Sequence, residues 1–191
     1  MFTQGFGFVS KTKEHIFTVI PVGMLHLPSG RLITGDAIGT LDFVPLSRTA
    51  PIGVFPVEAS LLPVTATKSL IAGVRIVFSG DPIVTWELAQ GGTGGAPGYT
   101  GPLGLFVDAL LVPALQSYID NAEAEWWYDP PKKRGISWEV ACFTPDDDRP
   151  ETCALFQTGD GDGVFASYWG LGANGSPAQL VTDFNVVPSR A

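Results

Sequence analysis

Gln157-Thr158-Gly159-Asp160-Gly161-Asp162-Gly163-Val164-Phe165-Ala166-Ser167-Tyr168-Trp169-Gly170, followed after a polar turn by Gln179-Leu180-Val181-Thr182-Asp183-Phe184, reads as an aromatic β-hairpin attached to an acidic glycine loop. Val164, Phe165, Tyr168 and Trp169 lie on one side of Ala173-Asn174-Gly175-Ser176-Pro177, with Leu180, Val181 and Phe184 on the other: two apolar runs separated by turn residues. Asn174-Gly175 supplies the turn, because both residues tolerate the positive φ of a tight hairpin.

The same grammar extends outward along the chain. Phe6–Val9 and His15–Leu27 read as a first pair of strands, and Pro21 and Gly23 in the second mark an edge or a bulge. From Val54 to Leu62, Val54, Pro56, Glu58 and Ser60 alternate with Phe55, Val57, Ala59 and Leu61, the period of two of a half-buried strand. Ser69–Phe78 and Ile83–Leu88, joined by Ser79-Gly80-Asp81-Pro82, are expected to pair as a hairpin, with Val84, Trp86 and Leu88 on one face and Thr85 and Glu87 on the other. Ile136–Phe143 and Thr152–Gln157 form another hairpin around an acidic loop. A single helical period runs through Leu111, Leu115, Tyr118, Ile119, Ala122 and Trp126, predicting a helix over about 109–127. Asp108 suits its N-cap and Pro113 its first turn. The expected fold is mostly β: one antiparallel domain over 1–191, built as two packed sheets or one strongly curved sheet, with one substantial helix laid across it.

Composition agrees. The chain has 191 residues, 45% hydrophobic and 16% charged, with 23 Gly and 16 Pro, a compact and turn-rich make-up. A chain of this size buries roughly 70% of its unfolded surface and needs no metal or disulfide for stability. A formal net charge of −8 with 11 Lys and Arg argues against nucleic acid as a partner. The one basic run, Lys132-Lys133-Arg134, reads as a solvated loop. Leu103–Leu115 is the longest apolar candidate for a span but contains Asp108 and Pro113, so no membrane role is expected. The first residues lack the layout of a secretory signal, and a cytoplasmic setting is expected, with Cys142 and Cys153 as buried thiols that sit opposite one another if their strands pair.

Motifs that carry chemistry are few. Gly91, Gly92, Gly94, Gly95 and Gly98 form neither a dinucleotide fingerprint nor a phosphate loop, and read as a mobile segment able to close over a site. Asp160 and Asp162, between Gly159, Gly161 and Gly163, have the character of a hard-cation loop. With Gly163 at the sixth position, however, the twelfth is Trp169 instead of the bidentate glutamate of an EF-hand, which leaves only a loose calcium site there and no other cofactor. His15 and His26 fit no nucleophilic triad and, with the two cysteines, no zinc spacing. Carboxylates remain: Asp36, Asp108 and Asp162 each end a predicted strand beside glycine or helix N-terminal N–H groups, where acids and bases acquire different pKa values. Each equally suits a turn or a cap.

Ser29-Gly30-Arg31-Leu32-Ile33-Thr34-Gly35-Asp36, Pro51-Ile52-Gly53-Val54-Phe55-Pro56-Val57-Glu58, Gly104-Leu105-Phe106-Val107-Asp108, and Gly161-Asp162-Gly163-Val164-Phe165 followed by Tyr168-Trp169-Gly170 and Leu180-Val181-Thr182-Asp183-Phe184 together resemble the bacterial family named domain of unknown function 4241. That family pattern has a valine-aspartate-alanine-glycine run just before the position of Asp108. Tyr99-Thr100-Gly101-Pro102 stands there in this chain, so Thr100 replaces the aspartate. The resemblance implies a fold and a functional edge without a reaction. Two functions are therefore carried. One is a non-catalytic binding protein that presents Tyr168, Trp169, Phe184, Trp126 and Trp127, with Thr100 nearby, to a protein or small-molecule partner. The other is a carboxylate-dependent hydrolase or lyase acting on a small molecule, with Asp162 as base, Asp108 as acid or orienting group and Asp36 as third member.

Overall fold

A computed structural model describes residues 2, 7–10, 13–37, 44–65, 68–91, 99–100, 103–121, 140–143, 153–161 and 163–186. Its strands are β1 (Gly7–Ser10), β2 (Lys13–Ile16), β3 (Thr18–Leu27), β4 (Leu32–Asp36), β5 (Gly53–Pro63), β6 (Ser69–Val77), β7 (Thr85–Leu88), β8 (Tyr99–Thr100) and β9 (Leu103–Asp108). A 3-10 turn (Ala109–Leu111) leads into helix α1 (Val112–Asn121), and then come β10 (Val140–Phe143), β11 (Cys153–Gln157), β12 (Val164–Phe165), β13 (Ser167–Leu171) and β14 (Pro177–Asp183).

The strands pair antiparallel into a six-stranded sheet ordered β3-β5-β6-β14-β13-β7, a four-stranded sheet ordered β10-β11-β9-β4, and two small ribbons, β1-β2 and β8-β12. One core cluster lies between the larger sheets, where Leu25, Val57, Ile76, Trp169 and Leu180 of the six-stranded sheet meet Phe106, Cys142, Ala154 and Phe156 of the four-stranded one. The far face of the four-stranded sheet, with Ile33, Leu105, Val107, Cys153 and Leu155, is covered by Leu111 and Leu115 of the helical segment. All six residues of β9 are buried, because both of its faces are covered. Edge-on aromatic pairs knit the first cluster: Phe106 and Phe156 at 4.7 Å and Phe165 and Phe184 at 5.2 Å between ring centroids, each contributing about 1 kcal/mol beyond simple burial. The mostly β reading with packed antiparallel sheets holds, with one α-helix among the described residues, described as far as Asn121.

Several local signals hold, although His15–Leu27, read as one strand, is divided at Phe17 between β2, which pairs with β1, and β3, which pairs with β5. β3 is an edge strand and also slips register between Pro21 and Gly23. Pro113 lies in the first turn of α1, and β10 pairs with β11. In the closing hairpin, Gly175 takes φ +77 while Asn174 instead accepts the Ser176 N–H through its side chain.

Two expectations are corrected. β6 and β7 do not form a hairpin: β6 pairs with β5 and β14, and β7 pairs with β13. The Ser79–Pro82 turn carries the chain past the β13-β14 hairpin, which lies between them. The cysteines also do not face each other. Cys142 is opposite Ala154 and Cys153 opposite Phe143, one residue out of step, so their side chains lie on opposite faces and in different core clusters, and the two form no disulfide.

Burial foremost, and then the neighbouring Cys142, push the Cys153 thiol well above the ordinary range. An unfolded thiol loses its proton near pH ~8.5 while the folded one keeps it, so stability is complete below that pH and falls as pH rises above it. Urea midpoints measured from pH 8 to 9.5 should decline more steeply for the wild type than for Cys153→Ala. Equal slopes would contradict the assignment.

Candidate functional site

Asp108 is completely buried at the junction of β9 and the 3-10 turn. Its Oδ1 accepts from Leu110 N (2.9 Å) and from the Ser29 hydroxyl (2.5 Å), and its Oδ2 accepts from Ser29 N (3.0 Å) and Gly30 N (2.9 Å). The carboxylate thus caps the helical segment, as its sequence position suggests, and also binds the β3–β4 turn. Gly30 is required there. Its φ is +69, and a Cβ would stand 2.2 Å from the Ala50 carbonyl oxygen. The Gly30 carbonyl in turn accepts from Ala50 N (2.8 Å), and the Leu32 carbonyl from Leu46 N (2.8 Å), which seats residues 44–50 against the start of β4.

Asp36 is half-buried at the other end of the β4–β9 ladder, opposite Gly104, whereas Asp108 is opposite Leu32. Four residues at ~3.4 Å put the two aspartates roughly 14 Å apart along the strands. The structure does not bring them to one substrate position. Asp162 lies outside the described residues, as do Trp126, Trp127, the 92–98 glycine segment and the basic run at 132–134. Thr100 is placed through its backbone, where β8 pairs with Val164 of β12. Asp160 is exposed, with Lys68 Nζ 3.6 Å from its Oδ1, beside a cavity of ≈370 Å³ between Lys68 and the Thr158–Gly161 turn. Among the described residues no three His, Cys, Asp or Glu side chains cluster as metal ligands.

The aromatic residues divide by face. Trp169 is 1% exposed and packs near-parallel to Phe78 at 6.0 Å, and Phe184 is buried, so both belong to the core. Tyr168, one position away, faces the other side, 37% exposed. Opposite Tyr168 is Leu88 and opposite Gly170 is Trp86, so these share the outer face of the six-stranded sheet. Trp86 lies over Gly170, where a Cβ would meet its ring at 3.1 Å. All four residues of β7 are exposed; Val84 is 61% exposed, Trp86 51% and Leu88 38%.

Beside this edge is a cavity of ≈400 Å³ lined by Ser47, Arg48, Glu87, Leu88, Gln90 and Trp169. Glu87, opposite Trp169 on the inner face, accepts from Arg48 Nη2 at 2.5 Å. Ser47 N donates to the Gln90 carbonyl (2.8 Å), and Leu46 bridges Gly91. The indole N–H of Trp169 has no partner among the described residues. Sequence alternation places Glu87 with Thr85 on one face of its strand, and Ser47, Arg48 and Gln90 carry no sequence signal of their own. No local pattern joins Arg48 to a strand 39 residues further on.

Residues 25–97 match the model of a family described as Protein of unknown function (DUF4241), which bears out the resemblance over that part of the chain. The matched span includes the β3–β4 turn, the 44–50 segment and β7. No curated protein and no solved structure matches the chain. No helix among the described residues is long and apolar enough to cross a membrane.

Replacing Asp108 by Ala leaves three backbone N–H groups and a hydroxyl without their acceptor. With charge-assisted bonds contributing ~1.5–3 kcal/mol each and partial rescue by water, a loss of about 3 kcal/mol in urea-unfolding free energy is expected. A loss under about 1 kcal/mol would show that the carboxylate does not hold the turn.

Proposed function

We propose that this DUF4241 protein works by binding instead of catalysis and recognises a protein partner at the exposed edge formed by β7 and β13. The observation that carries this reading is the cluster of Val84, Trp86, Leu88 and Tyr168, exposed together at one end of the six-stranded sheet although apolar side chains fill the interior. A tryptophan and a tyrosine within one apolar patch are the side chains in which binding energy concentrates, because they bring large contact area at low entropic cost. Trp86 and Tyr168 replace Trp169 as the presented pair, since the inner face of β13 belongs to the core. Support also comes from the aspartates: the Asp108 carboxylate is engaged with four donors, and Asp36 stands at the opposite end of its ladder.

The patch is small, a few side chains wide, and suits a weak or transient encounter better than a permanent one. Affinity capture from an extract of the source cells, followed by purification of the captured protein, tests the reading. Trp86→Ala and Tyr168→Ala should each weaken the purified pair by about tenfold or more, in line with ~1.4 kcal/mol or more for an aromatic anchor. The melting temperature should change far less for Tyr168→Ala, which is on the outer face. Undiminished affinity in both variants would place recognition elsewhere.

A further inference from the structure

We infer that the edge of β7 accepts an extended segment of the partner as an added strand, an inference that rests on the binding reading above and specifies its geometry. Among the described strands β7 ends the six-stranded sheet, with β13 on one side. Just past its C-terminal end, Ala89 N donates to Ser167 O (2.8 Å), toward β13, while the Gln90 carbonyl turns the other way and accepts from Ser47 N (2.8 Å). Strand alternation then directs the peptide groups of Leu88 and Trp86 outward with that of Gln90. Leu46 and Ser47, bridged antiparallel to Gly91 and Gln90, are thus the beginning of a seventh strand.

That strand stops after two residues, because Ala50 N is drawn to the Gly30 carbonyl and leads the chain away from the sheet. The ≈400 Å³ cavity lies where the strand would have continued, between Ser47 and Arg48 on one side and Glu87 and Leu88 on the other. Among the described residues nothing pairs with the outward peptide groups of Trp86 and Leu88. Among the described residues the position beside β7 is therefore half filled and half open, in register and direction already set by the Leu46–Gly91 bridge.

The surroundings specify the occupant. Alternate residues of an added strand meet the exposed Trp86 and Leu88 on the outer face, so these are apolar, β-branched or aromatic. The residue between them faces the Arg48–Glu87 pair and the cavity, where a guanidinium and a carboxylate side by side favour a polar side chain that both donates and accepts. With a net charge of −8 on this chain, a segment lacking acidic residues is favoured. The occupant is an extended, alternating apolar–polar segment of another protein, and backbone hydrogen bonds supply much of its affinity.

Random linear peptides selected on the full-length protein, followed by amide hydrogen exchange with the tightest binder, test this directly. The expected result is at least about tenfold slower exchange at Trp86 and Leu88 on peptide binding. Peptides N-methylated at alternate residues, in the phase that faces β7, should lose roughly thirtyfold or more in affinity, and those methylated in the other phase much less. Selected peptides that protect other amides, or bind equally well when methylated in either phase, overturn strand addition while leaving the binding reading intact. If no peptide is selected although a partner is captured, the extended-segment occupant is overturned; if no partner is captured either, both readings fall. Protection of Trp86 and Leu88 that appears without peptide and rises with protein concentration assigns the edge to a second copy of the chain and also overturns the inference.

Discussion

The buried carboxylate of Asp108 is the point at which this structure's distant parts are joined. A charged group withdrawn from water is tolerable only when its acceptor capacity is filled, and here two backbone N–H groups and a hydroxyl from Ser29 and Gly30 fill it together with the Leu110 N–H. The consequences radiate from there. Fixing Gly30 at positive φ aims its carbonyl at Ala50, Leu32 holds Leu46, and the 44–50 segment is set down beside the end of β7. Arg48 then reaches Glu87. One carboxylate between the helical cap and the β3–β4 turn thus governs the geometry of an edge on the other sheet.

This arrangement explains why the chain departs from the edge it has begun to cover. Residues 46 and 47 bond to Gly91 and Gln90, but Ala50 is required at Gly30, and the intervening residues cannot serve both. A strand edge left open is a hazard that most sheets suppress by charge, brevity or a covering segment. β7 keeps two of these devices, four residues and a glutamate, yet presents Trp86 and Leu88 to solvent. These exposed apolar side chains at an open edge are the observation on which the proposed binding role rests.

Much of the fold was legible because its signals are local. Period-two alternation located β5, the glycine- and proline-rich turns located most strand ends, and Asp108 followed by a period of three to four located the helix. What escaped depends on partner choice across the chain. Ser79–Pro82 reads as a hairpin turn whether or not its flanking strands pair, and only the insertion of β13-β14 decides that they do not. Cys142 and Cys153 flank a loop symmetrically, yet a register offset of one residue sends them to opposite faces. Tyr168 and Trp169 looked like one aromatic unit, although adjacent strand residues must diverge, and which of them enters the core is set by the second sheet. At the candidate site, Asp108 was recognisable as a cap over Leu110, but its other donors, from Ser29 and Gly30, lie 79 and 78 residues earlier in the chain.

The central claim is that the Asp108 carboxylate holds the 44–50 segment in place beside β7. Native-state hydrogen exchange of Asp108→Asn tests it most directly, because the amide keeps one acceptor oxygen and most of the volume while opposing one set of N–H donors with an NH2 group. The account predicts that the Gly30, Leu46, Ser47 and Ala50 amides accelerate together by a common factor, well beyond any change at Val74 and Ile76 in the sheet centre. Acceleration confined to Ser29, Gly30 and Leu110, with Leu46 to Ala50 unchanged relative to the sheet, would contradict it.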